Sequence, residues 1–427
     1  MYTYYCCLEK DDLQNYEGDL KTICLGASTF SFWKESKKRK QYSFATISDE
    51  ALDLLYISSF VYLADCMSSR EQMIMNWERK IKLLIPVKNL IGFENIKEDL
   101  ISALNFLSGD YWDIEFRSRN DSKEEEYQKK KRKGKRVSEK YEYVSMLSGG
   151  LDSCIGAIDL LEENKKVLFV GSHGRGANVK PYQDKVYKRL QEKYLIANSF
   201  KMFSLERTGD GQVGELTTRS RSFSFFAHGI AMADVYNVKK VIIPENGVIS
   251  LNVPLTWSRC GSSSTRTTHP HYMFLLNKIL SLLGLNIHLI NPYQFCTKGE
   301  MMRDCKNYDF LKDIACITMS CSHPSDRYSG ESCIKDSHCG YCVPCTIRRA
   351  AFLKADISDF SQYRPQDGET AKQNFRSFQI GILNKKNVGI FDILASGPIH
   401  DVENFDKYFN LYTRGIEEIK DYLKKDE

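Results

Sequence analysis

The stretch "VSMLSGGLDSCIGAIDLLEE", residues Val144 to Glu163, places glycines and serines between two apolar segments. The residues before Ser148 predict a buried strand, and those after Leu151 have the apolar spacing of a helix. Gly149 and Gly150 allow a tight turn and the close approach of a ligand. A helix N-terminus offers unpaired N–H groups and a partial positive charge. The stretch therefore predicts an anion-binding loop at the end of a strand.

Asp152 is unexpected in a loop that binds anions. It could cap the helix, orient the loop or hold Mg²⁺ beside phosphates. The Walker A pattern G-x-x-x-x-G-K-[ST] is absent from this stretch. Gly209, Gly211 and Gly214 match G-x-G-x-x-G, but no helical pattern begins at these glycines. Dinucleotide binding is therefore disfavoured.

Strand and helix patterns alternate from Tyr141 onward. Several strands are continuous apolar runs, which indicates a doubly wound parallel sheet of the α/β class with helices on both faces. Ligands bind at the carboxyl ends of the strands in such sheets. We predict an N-terminal α+β domain (1–120), a charged linker (121–140), the loop-bearing domain (141–355) and a mostly helical C-terminal segment (356–427).

The composition is that of a globular protein. The chain has 427 residues, of which 42% are hydrophobic and 27% are charged. No apolar run approaches the roughly 18 residues that a membrane span requires, and the first residues lack the features of a secretory signal. We therefore expect a cytoplasmic protein that does not contact a membrane.

The positive charge is concentrated in one segment. Seven of the eight residues from Lys129 to Arg136 are basic, and without them the formal net charge changes from +5 to −2. Such a run can bind nucleic acid. Three glutamates, Glu124, Glu125 and Glu126, precede it, so we favour a solvated linker.

The cysteines indicate a metal site. Seven of the 14 fall within residues 305–345. Three of these have the spacing C-x₂-C-x₂-C, which lets three thiolates converge on one tetrahedral ion; they are Cys339, Cys342 and Cys345. We predict Zn²⁺ rather than disulfides or an iron–sulfur cluster, because cytoplasmic thiols stay reduced.

The fourth zinc ligand is expected upstream of these three cysteines. Cys321 and Cys333 both qualify, and His323 and His338 are weaker alternatives. Metal binding would close a loop and fix the helix that follows, so we expect a structural rather than a catalytic ion.

Both motifs resemble known families. The loop S-G-G-L-D-S resembles the S-G-G-x-D-S loop of the PP-loop ATP pyrophosphatases, which have the adenine nucleotide alpha hydrolase-like fold. Downstream, T-x-S-C and H-C-G-x-C-x-x-C-T-x-R-R-x-A-F resemble the 7-cyano-7-deazaguanine synthase (QueC) family. The resemblance covers residues 141–355, about half of the chain. It implies that Cys321 is the first zinc ligand and that Cys333 lies in an insertion.

The segment between the two motifs departs from the biosynthetic enzymes. Its patterns P-E-N-G, S-L-N-V-P-L and S-T-R-T-T-H-P resemble QueC-like proteins of bacterial antiphage defence operons, notably the Qat system and some CBASS operons. These proteins also carry an added N-terminal region, as this chain does.

The candidate site residues follow from the loop, the resemblance and the polar residues of this segment. The ATP-binding set is Ser148, Gly149, Gly150, Leu151, Asp152, Ser153 and Gly171. The substrate-binding set is Glu245, Asn246, Arg259 and Arg266, which offer hydrogen bonds to a purine-like edge and positive charge for a carboxylate. The catalytic set is Asp152, Ser153, Arg266 and His269.

The resemblance implies an ATP- and Mg²⁺-dependent ligase. A 7-deazaguanine-type acid, such as 7-carboxy-7-deazaguanine, would be adenylated with release of pyrophosphate, and an amine would then displace AMP. We favour an amine of a partner protein from the same operon. The alternatives are ammonia, which gives the amide or the nitrile 7-cyano-7-deazaguanine, a tRNA-modifying ligase, and a non-catalytic nucleotide-binding scaffold.

Overall fold

The computed structural model describes residues 1–9, 11–14, 20–25, 46–71, 73, 78–131, 140–174, 179–197, 199–205, 219–253, 266–322, 324, 337–364, 373, 376, 379–382 and 389–425. Nine strands are found in this part of the chain, and every strand pair is parallel. They are β1 (Tyr2–Cys7), β2 (Lys21–Cys24), β3 (Lys80–Val87), β4 (Tyr111–Ser118), β5 (Tyr143–Met146), β6 (Val167–Gly174), β7 (Phe200–Leu205), β8 (Lys240–Ile242) and β9 (His288–Ile290).

Fifteen α-helices accompany these strands within the described ranges. The first eight are α1 (Asp11–Gln14), α2 (Asp49–Met67), α3 (Leu90–Asn95), α4 (Lys97–Ser108), α5 (Lys123–Lys131), α6 (Leu151–Glu162), α7 (Lys180–Tyr194) and α8 (Arg221–Val235). The others are α9 (Gly247–Leu251), α10 (Pro270–Leu282), α11 (Lys298–Arg303), α12 (Tyr308–Ile314), α13 (Val343–Lys354), α14 (Ile390–Leu394) and α15 (Phe405–Lys425).

The second sheet has the strand order β7-β6-β5-β8-β9, so β5 lies at its centre. Successive residues of β6 belong to different cores: Val167 and Phe169 pack with α6 and α7, whereas Leu168 and Val170 pack with α8 and α10. Neighbouring strand residues point to opposite faces. This sheet is therefore buried on both faces, and the predicted doubly wound α/β architecture is confirmed at that level.

The first sheet has the order β2-β1-β3-β4 and is also parallel. The expectation of an N-terminal α+β domain is therefore wrong in detail, because this region too belongs to the parallel α/β class. Helices α2 and α4 cover the sheet and pack in turn on α8 and α10 of the second unit. One continuous hydrophobic core includes residues of both sheets. Helix α2 is buried from Ala51 to Cys66 because it is enclosed on all sides.

The predicted linker is partly helical. Helix α5 covers Lys123–Lys131, and its Glu125 side chain is almost fully buried. The Glu125 carboxylate accepts a hydrogen bond from Arg119 at 2.8 Å and lies 2.9 Å from the Lys88 ammonium. Buried ion pairs hold the start of this segment on the N-terminal unit. Residues 132–139, which include the rest of the basic run, lie outside the described residues.

Most of the described part of the C-terminal segment is helical, whereas residues 356–364 form no helix. Helix α15 packs against α13 and α9. A third hydrophobic cluster joins them and includes Ile347, Leu251 and Tyr412. The C-terminal helix is thus part of the loop-bearing unit.

His228 supplies a test of the core shared by α8 and the second sheet. Its Nδ1 atom lies 2.7 Å from the Ser224 carbonyl oxygen, and burial lowers the pKa of His228 to about 4. The unfolded chain binds this proton near pH 6.5. The stabilising contribution of neutral His228 is therefore present above pH 6.5 and is lost as the pH falls from 6.5 towards 4, by up to about 1.4 kcal/mol per pH unit.

We expect His228→Gln to reduce the fall in the free energy of unfolding between pH 7 and pH 5, measured by urea denaturation. His288→Gln, at an exposed position of β9, serves as the control. Identical pH profiles for the wild type and His228→Gln would contradict the assignment.

Candidate functional site

The Ser148–Ser153 loop lies directly after β5 and leads into helix α6. Gly149 has a φ of 81°, in the left-handed region, and a Cβ atom there would lie 2.8 Å from the backbone nitrogen of Gln183. Both facts restrict this position to glycine. The tight turn expected from the sequence is present, at the carboxyl end of the central strand.

The loop presents hydrogen-bond donors towards a cleft. The Ser153 hydroxyl donates to the Gly150 carbonyl at 2.9 Å and lies 3.1 Å from the Ser148 hydroxyl. The backbone amides of Asp152 and Ser153, in the first turn of the 12-residue helix α6, have no acceptor among the described residues. Free first-turn amides and the helix dipole together favour an anion.

A second segment crosses the loop. The backbone amide of Met319 donates to the Gly149 carbonyl at 2.9 Å, and the Leu151 amide points to the Ser320 hydroxyl at 3.4 Å. This segment continues directly into Cys321. The Ser148–Ser153 loop and the cysteine segment are therefore in contact.

Asp152 lies beneath the loop and is buried. Its Oδ2 atom accepts hydrogen bonds from the side chain and backbone of Asn246 at 2.8 and 3.2 Å, and its Oδ1 atom lies 3.0 Å from the Lys298 ammonium. Burial alone would raise the pKa of Asp152, but the Lys298 charge and the Asn246 amide hold that pKa below its usual value. Asp152 is therefore a carboxylate that joins three segments.

Lys298 is a site residue that the sequence interpretation missed. It lines the cleft, and its side chain is 3% exposed. It is the first residue of α11, whose start is held by a capping box between Thr297 and Glu300. Glu418 of α15 reinforces this position by accepting hydrogen bonds from the Thr297 hydroxyl at 2.6 Å and the Gly299 amide at 3.1 Å. The capping box was the signal in the sequence that a helix begins here.

Glu245 lies beside Asp152 and also lines the cleft, as predicted for a ligand-binding residue. Burial, followed by the neighbouring Asp152 carboxylate, raises the pKa of Glu245 well above its usual value. A hydrogen bond between the two side chains contributes to this shift, and a divalent cation could replace the shared proton. Mg²⁺ commonly uses one or two carboxylates together with phosphate oxygens, so this donor set fits it.

The cleft has a volume of about 520 Å³. It lies between β5 and β8, the point at which the order of the strands in the sheet reverses. Open α/β sheets bind their ligands at this point. Glu245, Lys298 and every residue of the Ser148–Ser153 loop except Gly149 line it. Arg219, Arg221, Phe225 and Phe226, from the start of α8, also line it.

Two predicted ligand-binding residues have structural roles instead. Asn246 is fully buried, and its side chain donates to Asp152 while it accepts from the Ile249 amide as the cap of α9. Its hydrogen-bonding atoms are thus already used. A Cβ atom on Gly171 would lie 2.9 Å from the Phe200 ring, so this glycine is required by packing and does not line the cleft.

Arg266 and His269, predicted for catalysis, are likewise directed away from the cleft. The Arg266 guanidinium lies 4.6 Å from the centre of the Phe106 ring and donates to the Phe106 carbonyl at 3.1 Å. His269 caps α10, with Nδ1 accepting from the His271 amide and Nε2 lying 3.1 Å from the Ser396 hydroxyl. Burial and the Arg266 charge lower the pKa of His269 to about 3, which favours its neutral form. Arg259 lies outside the described residues.

The cysteine segment forms a four-thiol cluster. The Sγ atoms of Cys321, Cys339, Cys342 and Cys345 all lie within 4.8 Å of one another. The Cys321–Cys342 and Cys339–Cys345 Sγ distances are 4.0 and 3.8 Å. A tetrahedral zinc with Zn–S bonds of about 2.3 Å requires sulfur separations of about 3.8 Å. The cluster could therefore bind zinc; Cys333 and His323 lie outside the described residues.

Comparison with known proteins adds no assignment, since no protein-family model and no curated protein matches this chain. Among the described residues, no helix combines the length and the apolar character that a membrane crossing requires.

The Asp152–Lys298 pair is expected to behave as one unit. Lys298→Met leaves a buried carboxylate without its cation, which costs about 3–5 kcal/mol. The double variant Asp152→Asn/Lys298→Met should lose much less than the sum of the two single losses, because it removes both charges together. Denaturant unfolding of the four proteins in the cycle measures the coupling. Additive losses would show that the pair is not formed.

The four-thiol cluster is expected to hold one zinc ion per chain. Cys342→Ser and Cys321→Ser should lose the metal and lower the melting temperature, because zinc binding contributes to folding free energy. Cys316→Ser is the matched control, since Cys316 lies in the same segment outside the cluster. Metal analysis by mass spectrometry tests this, and full zinc content in Cys321→Ser would rule out this ligand set.

Proposed function

We propose that this chain binds ATP in the cleft, with the phosphates against the Ser148–Ser153 loop. The observation that carries the proposal is the left-handed turn at Gly149, which presents the free amides of Asp152 and Ser153 at the carboxyl end of β5. The Lys298 ammonium lies on the same cleft. Positive charge and free N–H groups converge there, as an oligophosphate requires.

The reaction that we propose is adenylation of a carboxylic acid. A carboxylate oxygen of the acid attacks the α-phosphorus of ATP, and the bond from that phosphorus to the bridging oxygen breaks as pyrophosphate leaves. An amine nitrogen then attacks the carbonyl carbon, AMP leaves with the former carboxylate oxygen, and the amine proton passes to water. Loop amides and Lys298 stabilise the charge that develops on the phosphates, so no side chain acts as nucleophile.

Asp152 and Glu245 are the residues that would hold Mg²⁺. When bound, the cation supplies charge neutralisation at the phosphates. Asp152 keeps Lys298 oriented through its other oxygen. Burial and the neighbouring Asp152 raise the pKa of Glu245, and a cation bound beside it would favour the carboxylate form.

The resemblance to QueC-like proteins supports the choice of substrates. It points to 7-carboxy-7-deazaguanine or a close relative as the acid. It points to an amine of a partner protein as the acceptor, in bacterial antiphage defence. The zinc that we propose at the cysteine cluster would hold Met319 and Ser320 against the loop, because Cys321 follows them directly.

Acid-dependent exchange of labelled pyrophosphate into ATP tests the proposal. Gly149→Ala should lower the exchange rate on the order of 100-fold, because the new Cβ displaces the loop. Gly284→Ala is the matched control: its φ is 74°, but no atom lies within 4 Å of the added Cβ. Both variants bear a backbone cost of about 1 kcal/mol, so only Gly149→Ala should lose exchange.

The outcomes separate the alternatives. Intact mass of candidate acceptors, with AMP measured in parallel, distinguishes a modified protein from a free amide or nitrile. ATP binding without exchange or AMP release for any acid would indicate a nucleotide-binding scaffold. Modification of tRNA that weakens steeply with salt would indicate a tRNA ligase. Equal loss of exchange in Gly149→Ala and Gly284→Ala would contradict the assignment of the loop.

A further inference from the structure

The cleft has a second end, formed by the start of helix α8. Arg221 and Ser222 are the first residues of this 15-residue helix, and both line the cleft. Their backbone amides have no acceptor among the described residues. The Ser222 hydroxyl oxygen is buried, and no described group forms a hydrogen bond with it. This end therefore offers several donors to one ligand.

Arg221 adds a positive charge to this end. The Arg221 side chain forms no ion pair with a carboxylate in the described part of the chain. Burial lowers the pKa of the Arg221 guanidinium. A cation that has lost part of its hydration without gaining a carboxylate partner favours an anionic ligand.

The N-terminal unit holds this end in place. Ser220, the cap of α8, donates to Asp65 Oδ2 through its backbone amide at 3.0 Å and its hydroxyl at 2.7 Å. The other oxygen of Asp65 lies 2.6 Å from the guanidinium of Arg79, which also pairs with Asp110 at 2.6 Å. Asp65, Arg79 and Asp110 are buried. The Ser220 hydroxyl is committed to Asp65 and does not cap the helix, and no described residue accepts the Arg221 and Ser222 amides.

The neighbouring walls of the cleft are apolar and partly aromatic. Phe225 and Phe226 lie one turn into α8, and Met146, Ile243 and Pro244 line the same cleft. Aromatic and aliphatic walls of this kind favour a flat, weakly polar ring. Positive charge beside such walls favours a planar ring that carries a carboxylate.

We infer that the α8 end of the cleft is the subsite for the acid, with Arg221 and Ser222 bound to its carboxylate and the phenylalanines against its ring. The inference rests on the proposed function and deepens it. Two helix N-termini then face one cleft, α6 for the phosphates and α8 for the carboxylate. Each offsets the charge of one anion, which allows two mutually repelling groups to approach.

Equilibrium binding of 7-carboxy-7-deazaguanine, compared with 7-deazaguanine, which lacks the carboxylate, tests the inference without any turnover. Calorimetry on the full-length chain, with a non-hydrolysable ATP analogue bound, measures both ligands. Arg221→Met keeps the length of the side chain and removes its charge. We expect it to weaken binding of the acid on the order of 10- to 100-fold. Binding of 7-deazaguanine and of the ATP analogue should change less than about twofold.

Two further variants keep the test decisive. Ser222→Ala should weaken binding of the acid several-fold. It should leave the fold intact, because it removes only a hydroxyl without a described partner. Arg303→Met removes an exposed arginine of α11 that pairs with its neighbour Asp304, and it should bind every ligand as the wild type does. Melting temperature and zinc content serve as checks of folding.

The outcomes separate this inference from the proposed function. Selective loss of acid binding in Arg221→Met and Ser222→Ala supports the subsite even if no AMP is ever released. Acid-dependent pyrophosphate exchange that is unchanged in both variants would overturn the subsite while the proposed function stands. If Arg221→Met lost binding of the ATP analogue while binding the acid normally, the subsite would also be overturned, because Arg221 would then contact the phosphates.

Discussion

The buried carboxylate of Asp152 holds three distant segments in one arrangement. Asp152 lies in the first turn of α6. Its carboxylate accepts a hydrogen bond from Asn246, which follows β8, and forms an ion pair with Lys298 at the start of α11. A buried charge is tolerated only when its partners are well placed. The position of the loop relative to the starts of α9 and α11 is therefore specified by one side chain. The ammonium on the cleft wall is fixed by the same contact.

The cleft belongs to more than one unit of the protein. The Ser148–Ser153 loop and Glu245 follow strands of the second sheet. The turn before α8 is instead held by Asp65 of α2, which also forms an ion pair with Arg79. The shared core of α2, α4, α8 and α10 makes the two units one packed body. The N-terminal unit thus contributes to the geometry of the cleft without lining it.

The loop and the parallel sheet could be predicted because their signals are local. Gly149 and Gly150 after an apolar strand imply a turn, and continuous apolar strands imply burial on both faces. Asn246 and His269 each directly precede a helix, and the structure engages both side chains in capping the backbone, a role that the sequence interpretation did not consider. Lys298 could not be found in this way. Its partner is far away in the sequence, and no local pattern distinguishes it from a surface lysine.

The contact between Glu418 and the start of α11 has a consequence for biosynthesis. Glu418 lies on helix α15. Its carboxylate accepts hydrogen bonds from the Thr297 hydroxyl and the Gly299 amide, which lie on either side of Lys298 in the sequence. Translation proceeds from the N-terminus, so the Ser148–Ser153 loop leaves the ribosome long before this glutamate does. The nascent chain therefore cannot fully order the start of α11, and with it the position of Lys298, until Glu418 has been synthesised.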